Sequence, residues 1–425
     1  MAKTIDQKGG IKGLQLISDG TIGILGTAGT RIVENRDRII PREDKNTQND
    51  VLSCFPGISS SSIEKRLKEI EENKKLARKE YAASKECIKQ ALNDIKNTGG
   101  QFDYGEVSSH VTHLIEFFTA MDNPFSYLPK EVFSFEDYLY NHSINVCAIA
   151  TTLINKFNSV FSTMINGHLN GLRTEADYSV DQTPEGQENS YHHFQRDEIK
   201  TIALGFFLHD IGKVMVPDDI LNKAGKLTKE EFGIVQKHSY EFGRIILEKN
   251  KIDNPLIANI VKYHHAPLYK DENRCYPMDI ALEEIPIYAK ACKLADIYDA
   301  MTSKKSYKGA FNQINAVTDI YRIYAGKDTM LQILLHSFIK SIGIHPPGSI
   351  LFLRNGQMGY VLESKGPFVV PFTDTKGVCL SRRPDPYDLS DRNLNDSMKI
   401  DNRRRVGKLS EVYNLLPSYL KPTGI

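Results

Sequence analysis

Residues 206–217 read FFLHDIGKVMVP, an apolar run that ends in His209 and Asp210, passes through Ile-Gly and reaches Lys213. An imidazole, a carboxylate and an ammonium within five residues of a buried-looking helix end are groups that bind metals and phosphates, and they do not stand alone. His142 lies on the apolar stripe of FEDYLYNHSINVCAIATTLINKF with Val146, Ile149, Leu153 and Phe157 at helical three-and-four spacing. In TKEEFGIVQKHSYEFGRIILEK a capping box at Thr228 and Glu231 starts a helix whose inner stripe runs Phe232, Val235, His238, Phe242, Ile245. In PLIANIVKYHH the stripe Ile257, Ile260, Val261 continues into His264 and His265. IPIYAKACKLADIYDAMTS is apolar nearly all round except at Asp296 and Asp299, so these carboxylates need partners.

One inward histidine on an apolar stripe is ordinarily a hydrogen-bonded core residue. Five inward histidines and two inward aspartates are different, because each would need its own partner at about 1–3 kcal/mol per unsatisfied group. A shared metal centre satisfies them together. Imidazole and carboxylate without thiolate suit Fe, Mn, Co, Ni or Zn and disfavour an all-oxygen Ca or Mg cage. Six or seven ligands exceed the needs of one ion. Two ions about 3.5–4 Å apart, bridged by Asp210 and holding a hydroxide that attacks phosphorus, fit the donor count. Lys213, three residues after Asp210, returns to the same side and is placed to neutralise a phosphate oxygen in the transition state.

The elements that must hold these groups can be read from the texture of the chain. Its 425 residues carry a net charge of +1, so no global field recruits a nucleic-acid polymer or an anionic membrane. No segment approaches the roughly 18 apolar residues of a membrane span, the N-terminus has no signal-peptide run, and the expected location is the cytoplasm. The six cysteines form no CxxC pair, so reduced thiols are expected. Residues 1–58 read as a small Gly-rich β element and a polar linker, whose glycines fit turns because no Walker lysine or GxGxxG follows. Residues 59–130 read as a helical region with one long amphipathic helix at 60–97. Its stripe (Ile63, Leu67, Ile70, Leu76) could pair with a second copy of the chain in a homodimer or pack on its own domain. Residues 131–345 read as the helical catalytic domain, interrupted by a polar loop insertion at 168–193 whose His168, His192 and His193 are expected at the surface. A β-meander is expected over 346–381, and a polar tail with a short helix over 382–425. The fold class is mainly α, a helical bundle with a helical N-terminal extension and small β elements at both ends.

Taken in order, NHSINV, HDIGK, PDDILNKAGKLTKEEF, HSYEFGRIIL, YHH, CYP, EEIP and DIYDAMTSKKSYKGA resemble the HD-GYP branch of the HD metal-dependent phosphohydrolases over roughly 135–345. The resemblance implies a phosphodiesterase of bacterial signal transduction that degrades cyclic di-GMP through two divalent transition metals, iron first, with manganese or another metal as alternatives. His142, His209, Asp210, His238, His264, His265 and Asp296 match the family's ligand positions. Lys213 matches the residue that contacts substrate phosphate and nucleophile, and Tyr276 and Pro277 match the end of the GYP signature. Asp299 and Thr302 match the supporting part of DxxDAxT, with Asp299 read as an acceptor behind the ligands rather than a ligand.

Several positions depart from the family. Tyr138 stands where some members carry a Glu for a third metal, which points to a binuclear site. In HHAPLYKDENRCYP, Ala266 replaces a Glu, the loop is longer, and Cys275 replaces a glycine where the backbone wants positive φ. Lys305 and Lys308 stand in the family's arginine-bearing phosphate patch, keeping charge without the bidentate fork. Three readings are open: an active cyclic di-GMP phosphodiesterase with a modified lid; a cyclic-dinucleotide receptor or scaffold with little turnover; or an enzyme for another phosphate ester.

Overall fold

The computed structural model describes residues 14–16, 22–24, 60–119, 138–171, 193–223, 225–277, 280–303, 312–364, 367–404 and 416–420. Lys305, Lys308, His192, most of the 168–193 insertion and residues 409–415 of the LSEVYNLLPSYL piece expected as a short helix lie outside these residues, and within the rest of that piece Ser418–Leu420 form one 3₁₀ turn.

The chain divides into two units, 1–69 and 70–425. In the first, β1 (Leu14–Leu16) and β2 (Ile22–Ile24) pair antiparallel with Leu14 opposite Ile24. A helix, α1, spans Ser60–Thr98. In the second unit its residues Ala77, Tyr81, Ser84, Ile88, Ala91, Leu92 and Ile95 recur at three-and-four spacing and are buried, whereas Leu76 is 52% exposed. Of the expected stripe, Leu76 therefore faces outward and its neighbour Ala77 takes the buried position.

Beyond α1 the helices are α2 (Tyr104–Thr119), α3 (Tyr138–Gly171), α4 (Arg196–Leu208), α5 (Asp218–Leu221), α6 (Lys229–Lys237), α7 (Gly243–Lys249), α8 (Pro255–Tyr263), α9 (Ile287–Thr302), α10 (Gln313–Tyr324) and α11 (Thr329–Ile342). The start of α3 is the centre of the bundle: residues 141–151 are buried on every side, and the helix packs against α4, α9 and α11. Its C-terminus runs to Gly171, so the first residues of the expected insertion are helical. His193 is half-buried, its ring edge-on to Phe157, Phe161 and Phe194, which corrects its expected surface position.

Between α6 and α7, residues His238–Phe242 form a single π-helical turn. The extra residue in such a turn rotates α7 relative to α6, so burial passes to Gly243, Ile246 and Leu247, and Phe242 and Ile245 are only half-buried. Beyond His238 the straight stripe expected from spacing fails for that reason, and before it Val235 is only half-buried. Phe232, at its start, is 42% exposed.

After α11, β3 (Ile350–Phe352), β4 (Met358–Glu363), β5 (Phe368–Pro371) and β6 (Tyr387–Asp388) form an antiparallel meander in sequence order. The strand β6, with Leu394, Met398 and Ile400, packs on the small core built around Leu353, Val361 and Val369, so the start of the polar tail is part of this sheet. No helix among the described residues is long and apolar enough to cross a membrane.

Candidate metal centre

Three of the histidines occupy equivalent local positions. His209, His238 and His264 each come directly after the last residue of an α-helical stretch, α4, α6 and α8, where the regular bonding changes: two of the helices end there, and at His238 the π-helical turn begins. Each turns its Nδ1 onto the carbonyl three residues back: His209 on Phe206 at 2.8 Å, His238 on Val235 at 2.5 Å, His264 on Val261 at 2.9 Å. A carbonyl only accepts, so Nδ1 carries the proton in all three and Nε2 presents its lone pair. His142 reaches the same state by another route, with Nδ1 2.7 Å from Asp299 Oδ2.

The four Nε2 atoms converge on Asp210, and its two oxygens divide them. Oδ1 lies 3.2 Å from His238 Nε2 and 3.5 Å from His264 Nε2. Oδ2 lies 3.4 Å from both His142 Nε2 and His209 Nε2. Asp296 Oδ1 is 3.2 Å from His142 Nε2, and Asp296 Oδ2 is 3.9 Å from His265 Nδ1. The donors thus form two groups, Asp210 with His238, His264 and His265, and His142 with His209 and Asp296, each with its atoms within 4.8 Å of one another.

Protein hydrogen bonds alone leave this centre unsatisfied. Asp210 Oδ1 and His209 Nε2 are buried without a hydrogen-bond partner. The Nε2 atoms of His238 and His264 are 3.2 Å apart, two lone pairs facing one another beside a carboxylate oxygen. A cation between them relieves both the repulsion and the orphaned acceptors. The residues present therefore fit a group of divalent ions.

Except at His142, which its three carboxylate neighbours hold toward the charged form when no cation competes for them, protonation agrees with ligand chemistry. Burial pushes His238 and His264 down despite Asp210, and burial together with the neighbouring His264 holds His265 well below the usual imidazole range. Burial alone would raise Asp210, but Lys213 and His209 beside it hold its carboxyl well below the usual carboxylate range. Burial also works against ionised Asp296, yet its contact with His142 keeps it low. Burial would likewise suppress charge on His142, and the carboxylates of Asp210, Asp296 and Asp299 outweigh it, raising its value. Neutral imidazoles and ionised carboxylates are the forms that coordinate metals.

Lys213 lies one turn beyond Asp210 in the 3₁₀ segment Ile211–Met215, and its Nζ contacts Asp210 Oδ2. Its side chain is 21% exposed, whereas that of Asp210 is buried. Gly212 permits the turn to lie against the π-helical turn, since a Cβ there would stand 2.0 Å from the His238 carbonyl oxygen.

The structure places Tyr276 with its ring 4.6 Å from that of His265 and 6.3 Å from that of Phe232. Burial and the carboxylates of Asp210 and Asp296 push its phenol up. Thr302 donates its hydroxyl to the Tyr298 carbonyl of its own helix, and Ser303 instead donates to Asp299 Oδ1 at 3.0 Å. Sequence reasoning missed Ser303 and also Asn145, whose Nδ2 donates to Asp299 Oδ1 at 2.8 Å. The available signal was spacing: Asn145 lies one turn after His142 on the buried part of α3. The left-handed backbone expected at Cys275 occurs instead at Asp271 and Arg274, with φ of 66° and 64°.

Comparison with known proteins bears on this geometry. Residues 139–301 match the HD domain family. Over 168 residues the chain is 34% identical to a cyclic di-GMP phosphodiesterase of Pseudomonas aeruginosa, covering 40% of this chain and 39% of that protein. A cyclic di-GMP phosphodiesterase of Thermotoga maritima is 34% identical over 148 residues, 29% of this chain and 39% of its own. A 3′3′-cGAMP-specific phosphodiesterase of Vibrio cholerae is 41% identical over 102 residues, 24% of this chain and 19% of its own. The chain thus aligns with well under half the length of each of these curated relatives.

Proposed function

The chain belongs to the HD-GYP family of HD domains, and from this premise we propose that it is a metal-dependent phosphodiesterase that opens a cyclic dinucleotide, with cyclic di-GMP as the substrate. The observation that carries the proposal is the division of Asp210. One oxygen serves the His238 and His264 side, the other the His142 and His209 side. A carboxylate so placed suits two cations with one oxygen for each. Asp296 and His265 complete the two sets, and Asp299 acts on His142 from behind.

A bound pair of divalent transition ions supplies Lewis acidity and a water-derived nucleophile ionised at neutral pH. The remaining work falls to the chain. Asp299 fixes the tautomer of His142, while the carbonyls of Phe206, Val235 and Val261 fix those of His209, His238 and His264. Lys213 contacts Asp210 Oδ2; with a cation held by that carboxylate, its ammonium would be free to meet a phosphate oxygen and offset the charge that grows there. Tyr276 and the exposed Phe232 present ring faces and edges beside the centre, a surface suited to a nucleobase. Lys305 and Lys308 would add charge for the second phosphate.

The test is direct. Iron- or manganese-loaded protein is incubated with cyclic di-GMP and with 3′3′-cGAMP, and binding and product are followed in the same samples. Turnover of a cyclic dinucleotide is expected. Tight binding with no turnover would replace the enzyme with a receptor, and neither binding nor turnover would remove the substrate class.

A further inference from the structure

The loop between His265 and Tyr276 departs most from the family pattern, yet it is tied from beneath by a buried charge network. Lys293 lies on α9, one turn before Asp296, and is 7% exposed. Its Nζ donates to the Ala266 carbonyl at 2.8 Å and to Glu272 Oε2 at 3.0 Å, and it lies 3.2 Å from Cys275 Sγ. Glu272 in turn accepts from the Leu268 N–H through Oε2 and from the Tyr324 hydroxyl, at 3.0 Å, through Oε1. One ammonium therefore grips the residue after His265 and the residue before Tyr276. The loop closes on itself where the Tyr276 N–H donates to the His265 carbonyl at 3.1 Å.

Charges are costly to bury unless they are paired and fully bonded, and this pair meets that condition. A hydrophobic plug would hold the loop down just as firmly. What three directed contacts add is register: they fix which atoms of the loop face α9, the helix that also carries Asp296.

We infer that Lys293 and Glu272 are positioning residues that set the place of Tyr276 beside the metal centre. The inference deepens the phosphodiesterase reading and rests on it for its catalytic consequence. Neither residue touches the substrate. They act through Tyr276, whose ring in turn meets the dinucleotide.

The test uses full-length protein, wild type and three variants: Lys293→Met, Glu272→Gln, and the double variant Lys293→Met/Glu272→Leu. Metal content, Tm, and kcat and KM are measured on cyclic di-GMP and on bis(p-nitrophenyl) phosphate, a diester that lacks bases. Retained metal is expected in all three. KM for cyclic di-GMP rises about tenfold, the fold-change of losing one aromatic contact with a base, and the small diester, which has no base, changes far less. The double variant removes both charges, so it recovers the Tm lost in the single variants but not the KM. Recovery of KM together with Tm, or parallel loss on both substrates, would reduce the network to a structural one and overturn the inference.

A second readout does not depend on turnover. The chain contains no tryptophan, so Tyr276→Trp introduces a single one. In the Lys293→Met background its emission moves to the red and acrylamide quenches it more strongly if the clamp sets its position. Unchanged emission overturns the inference even where no cyclic dinucleotide is hydrolysed, an outcome that by itself would fault only the proposed function.

Discussion

Gly212→Ala tests whether backbone packing places the metal centre. The added methyl would stand 2.0 Å from the His238 carbonyl oxygen and 2.6 Å from the Gly243 nitrogen. Neither neighbour is the end of a flexible side chain, so relief requires the 3₁₀ turn and the π-helical turn to separate. Ordinary van der Waals contact starts at 3.4 Å, so the two backbones must part by about 1.4 Å. Asp210 rides on one turn and His238 on the other, and Oδ1 and Nε2 are 3.2 Å apart. Metal–ligand distances tolerate only about 0.2 Å, so a shift of this size removes His238 or Asp210 from a shared ion. The expected result is a loss of about 1–3 kcal/mol of stability from overpacking. Metal retention should fall at least as far as when an outer-shell partner is lost, about 10–100-fold. The assay is elemental analysis after dialysis against a weak chelator, with Tm measured on the same samples. Gly233→Ala is the control, since a Cβ there meets nothing within 4 Å and the position is helical. A Gly212→Ala protein with full metal content and an unchanged Tm would refute the claim that these two turns meet as described.

Lys213→Ala is expected to keep its metal while kcat falls about 10²–10³-fold, the size of losing one preorganised charge donor; metal loss in this variant would make the lysine a support for Asp210 instead. Asp299→Asn should weaken metal binding about 10–100-fold in a competition titration, because Asn145 and Ser303 both donate to the Oδ1 position and so hold the amide oxygen there, leaving Nδ2, a donor, against His142 Nδ1; an unchanged affinity would show that α3 packing alone orients the ring. His345 is held down at about 4 by burial, and its Nδ1 has no hydrogen-bond partner, so folding favours its neutral form. With an unfolded value near 6.5, the stability it contributes is present above that pH and is lost as pH falls toward about 4. From pH 7 to pH 5 the loss is about 2 kcal/mol. Urea midpoints of wild type against His345→Gln at the two pH values isolate this contribution, and a loss equal in both proteins would contradict it.

Much of the centre could be read from residue spacing alone. His142, His264 and Asp296 sit on stripes long enough for three-and-four periodicity to show which way they face, and the structure brings them together with His209, Asp210, His238 and His265. Where spacing misled beyond His238, a local break in helical phase is the reason. The π-helical turn at His238–Phe242 adds a residue per turn, so the stripe read through Phe242 and Ile245 lost register there. Ser303 and Asn145 were missed because a short polar side chain next to a carboxylate leaves no periodic trace. The loop from Ala266 to Cys275 looked degraded because its partners, Lys293 and Tyr324, come from distant helices that no local pattern links to it. Composition alone held no sign that Lys293 is buried, since lysines are ordinarily solvated.

Whether the histidines and carboxylates share ions is decided by the metal content of the purified full-length chain, handled anaerobically and under reducing conditions, for wild type and Asp210→Ala. About two transition-metal ions per wild-type chain are expected, with both lost, and hydrolysis with them, when the shared carboxylate is removed. Wild-type protein that folds and holds no metal, or an Asp210→Ala protein with undiminished metal, would contradict a centre built on Asp210.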